Sequence, residues 1–250
     1  MPKFDLALNT PIMNAAGSLG FALDTNAPVD ISQFGAFVTN PISMRKRTPA
    51  RGPRLLEIPG GFLLHTGYPN PGLGSAIRRY ASHWRRSPLP VIVHLLVQNP
   101  AEVSRMVERL ESLDSVMGVE LGLPPGIDAG LATELVNAAI GELPVIARLP
   151  LENARELAPA LVDFDLAAIS LSPPRGALPG PQGEIVHGRI YGPAVFPLAL
   201  ATVEKLVETG LPIIAAGGIY HQQDIDAMFA AGAFAVQLDT TLWSGNFQSH

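Results

Sequence analysis

Pro212-Ile213-Ile214-Ala215-Ala216-Gly217-Gly218 is a short apolar run without polar alternation. It is followed by helical spacing over 222–231 and by a second apolar run over 235–240. Runs of this kind fit strands covered on both faces, and a helix between two of them makes a parallel pair. The same unit recurs along the chain. Further runs stand at 11–16, 35–40, 90–97, 118–123, 144–149 and 167–172, and helical spacing covers 73–84, 100–113, 129–140, 152–162 and 197–208. Eight such strands in 250 residues predict an α/β fold, one (β/α)8 TIM barrel spanning 1–250 as a single domain. A doubly wound sheet needs no eighth strand and carries its glycine fingerprint after the first, whereas here the glycine pair follows the seventh.

A net charge of −5 and a pI near 5.7 give no electrostatic footprint for nucleic acid. Arg45, Lys46, Arg47, Arg51 and Arg54 form one basic cluster that reads as a solvated loop. There is no cysteine, which removes disulfides, thiolate metal sites and thiol nucleophiles; no metal site is expected. The stretch 1–9 lacks the basic start and apolar core of a signal peptide, and no apolar run approaches the roughly 18 residues that span a bilayer. A cytoplasmic protein without a membrane span is expected. After the eighth strand only 242–250 remain, too short for a full covering helix. Either a partner subunit or an altered amino-terminal segment covers that flank, and a homodimer is expected.

Two stretches rich in glycine and proline, 41–70 and 173–197, leave the carboxy-terminal ends of the second and sixth strands, where barrel active sites assemble. Gly217 and Gly218 remove side chains that would stop a ligand reaching the backbone, and free N–H groups at the start of a helix over 220–226 would favour a phosphate. A plain tight turn between strand and helix explains the same pair. The position after the seventh strand favours phosphate.

Met13-Asn14-Ala15-Ala16-Gly17-Ser18-Leu19-Gly20, Gly35-Ala36-Phe37-Val38-Thr39, Pro59-Gly60-Gly61, Pro69-Asn70-Pro71-Gly72, Tyr191-Gly192-Pro193-Ala194 and Pro212 through Ile219 resemble the dihydroorotate dehydrogenase family, in the family's order and over nearly the whole chain. The resemblance implies flavin mononucleotide (FMN) across the barrel mouth. Ala16 and Gly17 would touch the flavin, with Asn40 and Arg148 at the positions of two family lysines near it. Gly192, Gly217, Gly218, Asp239 and Thr240 would surround the phosphate, and Asn70 would help hold a pyrimidine substrate.

The departures are specific. Asn40 removes a fixed positive charge. Arg148 keeps one with a larger planar head, which either serves the reduced flavin or closes the barrel with a salt bridge. Leu121-Gly122-Leu123-Pro124-Pro125-Gly126 stands where the family supplies asparagines and, nearby, a base; none of these side chains donates or accepts a proton. Asp239 replaces a glycine, and its carboxylate either opposes the phosphate, points away, or pairs with Arg175 or Arg189. Among residues able to act as base instead, His65 lies beside the substrate-side segment, His94 reads as a hydrogen-bonded core residue, and His187 sits in the second long loop. Tyr68 and Tyr191 read as packing anchors that could donate.

These features predict an FMN-dependent oxidoreductase acting on a small cyclic or conjugated molecule, with inefficient oxidation of dihydroorotate. The rival is a non-catalytic barrel, a binding or assembly protein whose flavin site has decayed. A phosphate-binding lyase or isomerase would share the glycine pair but not the matches at the amino terminus and in the middle loop.

Overall fold

The computed structural model describes residues 6, 8–24 and 29–244. Most of the stretch examined for a targeting signal and the end of the chain, 245–250, fall outside the described residues. The elements are, in order, β1 (Ile12–Asn14), β2 (Phe37–Val38), β3 (Leu55–Ile58), β4 (Gly61–Leu64), α1 (Leu73–Arg85), β5 (Val91–Leu96), α2 (Pro100–Glu111), β6 (Val116–Gly122), α3 (Ala129–Asn137), β7 (Val145–Pro150), α4 (Ala154–Leu157), β8 (Ala168–Ser172), β9 (Arg175–Pro179), β10 (Ile185–Tyr191), α5 (Phe196–Leu206), β11 (Ile213–Ala216), α6 (Gln222–Ala230), β12 (Ala235–Leu238) and α7 (Thr241–Ser244).

Eight strands form one parallel sheet in the order β1-β12-β11-β8-β7-β6-β5-β2. The seam between its ends is closed by a bridge from Met13 to Ala36 and by the Gly35 N–H donating to Ile12 O at 2.8 Å. Asn14 completes the closure: its Oδ1 accepts from Val38 N–H at 2.8 Å and its Nδ2 donates to Val38 O at 2.7 Å. All eight predicted strands are present, and together they make the expected (β/α)8 barrel.

Side chains alternate along each strand, so the inward positions fall into layers. Met13, Ala36, Val38, Ile92, Ile146, Ala168, Ile214 and Ala235 form one buried apolar cluster. Two residues further along their strands stand His94, Arg148, Ser170 and Gln237, with Glu120 two past Gly118; all five are buried. The barrel is thus apolar below and polar above, toward the carboxy-terminal ends of its strands. The helices seal the outside. On α2, Val103, Met106, Val107 and Leu110 are buried, each worth about 1.5–3 kcal/mol for a large apolar side chain. The helix starts cleanly because Asn99 caps it ahead of Pro100.

Between β1 and β2 the described residues contain a short 3-10 turn, Ile31–Gln33, and no α-helix. The segment after β1 packs on α1 instead, with Phe21 stacked on Tyr80 at 5.4 Å and the Trp84 indole donating to Phe21 O at 2.8 Å.

The two long loops are not irregular. They supply β3, β4, β9 and β10, which form an antiparallel sheet in the order β3-β4-β10-β9. Pro59-Gly60 turns the β3–β4 hairpin, with Gly60 at φ +78°, a left-handed value suited to glycine after proline. A Cβ on Gly192 would strike Gly60 O, and one on Gly61 would strike Tyr191 O. The glycine motifs at 60–61 and 192 therefore let two backbones of this sheet cross closely. No helix of the described residues is long and apolar enough to cross a membrane.

Candidate active site at the barrel mouth

The polar layer converges on Glu120, whose side chain is fully buried. Its Oε2 meets His94 Nδ1 at 2.6 Å and accepts from the Arg148 guanidinium at 3.3 Å. Its Oε1 accepts from Ser170 Oγ and Gln237 Nε2, both at 2.7 Å. Burial alone would raise the pKa of this carboxyl; the Arg148 charge and the His94 hydrogen bond outweigh it and hold Glu120 far below the usual carboxylate range. Burial lowers the pKa of His94, against the opposing pull of Glu120. Arg148 forms the salt bridge that was one reading of it, yet its buried Nε has no partner among the described residues. A buried donor left open beside a cavity calls for an acceptor.

Two chambers open above this layer. One of ≈ 250 Å³ is lined by Ala16, Gly17, Asn40, Tyr191, Asp239, Thr240 and Trp243, among others. The other, ≈ 260 Å³, has Arg47, His65, Gln98, Pro124, Pro125, Arg175 and Arg189 in its wall and no acidic side chain. Tyr68 borders both, and a small cavity of ≈ 20 Å³ beneath it reaches His94, Gly122 and Arg148. Tyr68 is the one non-glycine among the described residues with positive φ, 52°, and Arg189 lies 4.1 Å over its ring centroid. That stacking contributes about 0.5–2 kcal/mol toward holding an unfavourable backbone.

The structure brings Ala16, Gly17, Asn40, Asp239 and Thr240 together around the first chamber. His65 faces the second, while His187 is exposed on β10. Asn70 is buried beside the mouth, but its amide is engaged in its own loop. Oδ1 accepts from Ser43 and Gly72 N–H, and Nδ2 donates to Ser43 Oγ and Tyr68 O. Asn40 Oδ1 accepts from Gly20 N–H at 3.2 Å.

At the expected phosphate end, the glycine pair and the start of α6 have partners within the protein. A Cβ on Gly218 would strike the Phe196 backbone, and one on Gly217 would crowd Val195 and Ala199, so the pair makes room for helix α5. The N–H groups of Tyr220 and His221 are not free: both donate to the Asp224 carboxylate, at 2.9 and 2.8 Å. Asp239 does not pair with Arg175 or Arg189. Its Oδ1 accepts from the N–H and hydroxyl of Thr240, and burial raises its pKa.

FMN is the group that the resemblance implies, and its two ends meet different surroundings here. At ≈ 250 Å³ the first chamber falls just below the about 300–1,000 Å³ of typical ligand clefts and suits a flat ring better than a whole nucleotide. Arg148, with its open Nε, lines the small cavity that shares Tyr68 with this chamber. A phosphate reaching the Thr240 N–H would have to displace the Asp239 carboxylate that accepts from it.

Glu120, Ser170 and Gln237 escaped the sequence reading because each lies inside a run taken as uniformly apolar. Their shared offset, two residues after Gly118, Ala168 and Ala235, was the available signal.

The profile for dihydroorotate dehydrogenase matches residues 3–169, and that for nitronate monooxygenase matches residues 182–245. The dihydroorotate dehydrogenase B (NAD(+)) catalytic subunit of Geotalea uraniireducens is 30% identical over 259 aligned positions, covering 94% of this chain and 84% of that one. The protein of that name from Trichlorobacter lovleyi is 29% identical with the same coverage. A crystal structure of DHODH in complex with ferulenol from Eimeria tenella superimposes with a TM-score of 0.70 at 16% identity, covering 97% of this chain and 80% of that one; that likeness supports the fold. The matched profile and the 30% identical relative show that this chain belongs to the dihydroorotate dehydrogenase family.

Proposed function

We propose that the protein is an FMN-dependent oxidoreductase whose substrate is not dihydroorotate. The observation that carries this reading is the buried Arg148 Nε, unpartnered beside the mouth cavities, next to a chamber whose wall holds Ala16, Gly17, Asn40 and Thr240. Both matched profiles carry the names of oxidising enzymes. When bound, the flavin supplies two-electron oxidation and reduction.

Arg148 would give its open N–H to the ring and, with Glu120 fixed against it, keep the added charge local. Ala16 and Gly17, lacking bulk, would let the ring lie against the backbone after β1. Tyr68 and Arg189 would screen the second chamber from the first. In that second chamber the substrate would meet Arg175, Arg189 and His65 rather than asparagines, because the 121–126 turn offers none. A site built for amide contacts loses about 1–3 kcal/mol for each buried partner removed, which is why dihydroorotate is a poor fit.

The non-catalytic reading has its own observation: the Asp239 carboxylate accepts from the Thr240 N–H, a group that a phosphate would otherwise use. The visible spectrum of the purified protein, followed by anaerobic addition of candidate reductants, separates the two. Flavin bands at one FMN per chain that dihydroorotate leaves unbleached are expected. A protein that is colourless, and stays so after incubation with FMN, refutes the proposal.

A further inference from the structure

His94 and Glu120 stand opposite each other on β5 and β6, with Nδ1 and Oε2 2.6 Å apart. Every other neighbour bonded to Glu120 is a donor: the Arg148 guanidinium, the Ser170 hydroxyl and the Gln237 amide. An ionised carboxylate only accepts. The hydrogen between the pair therefore sits on Nδ1, and in the neutral imidazole the other ring nitrogen, Nε2, carries the lone pair.

Nε2 makes no hydrogen bond to any described residue. It lies over Gly122, where a Cβ would come within 2.6 Å of Nε2 and 2.9 Å of Cε1. Gly122 has no positive φ, so the backbone does not demand a glycine there; the imidazole does. His94 and Gly122 together wall the small cavity shared with Tyr68, Arg148, Glu152, Arg175 and Arg189, three cationic side chains to one acidic. A histidine kept only for packing has no need of an open nitrogen, a cleared neighbour and a charged partner holding its tautomer.

We propose that Nε2 of His94 is the proton acceptor of this site, oriented by Glu120 and aimed across Gly122 at anionic ligands of the arginine-walled chamber. The transfer is simple: Nε2 takes a proton from an acidic N–H or C–H of the ligand, whose bonding pair stays behind. The resulting imidazolium is stabilised by Glu120, and the ligand's negative charge by Arg175 and Arg189. No electrons leave either partner in this step. The inference rests on the reading of the mouth as the reaction site, but His94 supplies what the 121–126 turn lacks.

Two measurements that need no cofactor test it. Long-range proton–nitrogen correlation spectra of nitrogen-labelled protein, with His94 assigned by comparison with His94→Gln, report the tautomer. A protonated Nδ1 and bare Nε2 between pH 7 and pH 8 are expected, becoming mixed in Glu120→Gln; a protonated Nε2 in the native protein overturns the proposal. Diethyl pyrocarbonate, scored by mass spectrometry on the peptide bearing His94, reports access to Nε2. Carbethoxylation of the native protein is expected to slow by about tenfold to a hundredfold in Gly122→Ala, whose methyl displaces the ring. Equal rates in the two folded proteins, or an inert His94 in the native one, overturn it. Because both readouts are independent of flavin, a colourless protein with these signatures refutes the redox reading alone.

Discussion

Replacing Glu120 with glutamine tests the polar layer at its centre. The side chain is fully buried and within 3.3 Å of Arg148, which is itself only 6% exposed. Glu120→Gln keeps the shape but leaves Arg148 with no compensating charge, and removing one partner of a buried ion pair costs about 3–5 kcal/mol. For a chain of this size each kcal/mol moves Tm by about 2–4 °C, so a fall of about 6–20 °C is expected. The double variant Glu120→Gln/Arg148→Met removes both charges, and replacing a buried pair by apolar volume is often neutral or better. It should recover most of the loss, giving a coupling of about 2 kcal/mol or more in a double-mutant cycle. Urea unfolding of the four proteins at pH 7.5, with circular dichroism checking the native state, gives all terms. A single variant costing under about 1 kcal/mol, or a double variant whose cost is the sum of the singles, would refute the claim that this pair is buried and mutually dependent.

Three more outcomes follow from the same geometry. Asp239→Gly should tighten FMN binding by about five- to 850-fold, since carboxylate and phosphate at close range repel by about 1–4 kcal/mol; equal dissociation constants for wild type and variant would show that Asp239 lies outside the cofactor site. Gly218→Ala drives a methyl into the Phe196 backbone from a left-handed conformation at φ +70°, and should lower the urea midpoint by the equivalent of about 1–3 kcal/mol; an unchanged midpoint contradicts the tight crossing. Acidification should act in two stages. Burial depresses His94 below its ordinary 6.5, so the unfolded chain takes up the proton first and stability falls as pH drops below that value. The depressed Glu120 adds a second loss below its ordinary 4.5. Asp239, raised by burial, works in the opposite sense, its contribution being lost as pH rises through its folded value. Urea midpoints from pH 4 to pH 8 should fall toward acid in wild type, and the stage near pH 6.5 should vanish in His94→Gln.

The barrel was legible because strand pairing within it obeys local rules: every apolar run from 11–16 to 235–240 became a parallel strand, and the helices needed only caps such as Asn99 and Asp128. The antiparallel sheet over the mouth was not, because β3 pairs with β4 nearby but β4 finds β10 more than a hundred residues later, a partnership no local pattern announces. Its glycines mark close approaches within the protein, Gly192 to Gly60 and Gly218 to Phe196, and sequence alone does not name the backbone that a missing side chain clears. Within the site, Arg148 was visible as a charge inside a strand. Glu120 is too, but its meaning depends on neighbouring strands being in register, and only the closed barrel sets that register.

The central claim is that the mouth of this barrel still holds a flavin despite Asp239 and Asn40. Titration of flavin-free protein into FMN, followed by flavin fluorescence and absorbance in wild type and Asp239→Gly, tests it most directly. Saturable quenching at one FMN per chain in both proteins, tighter in the variant, is the result predicted. Free-flavin fluorescence unchanged by an excess of either protein would contradict it.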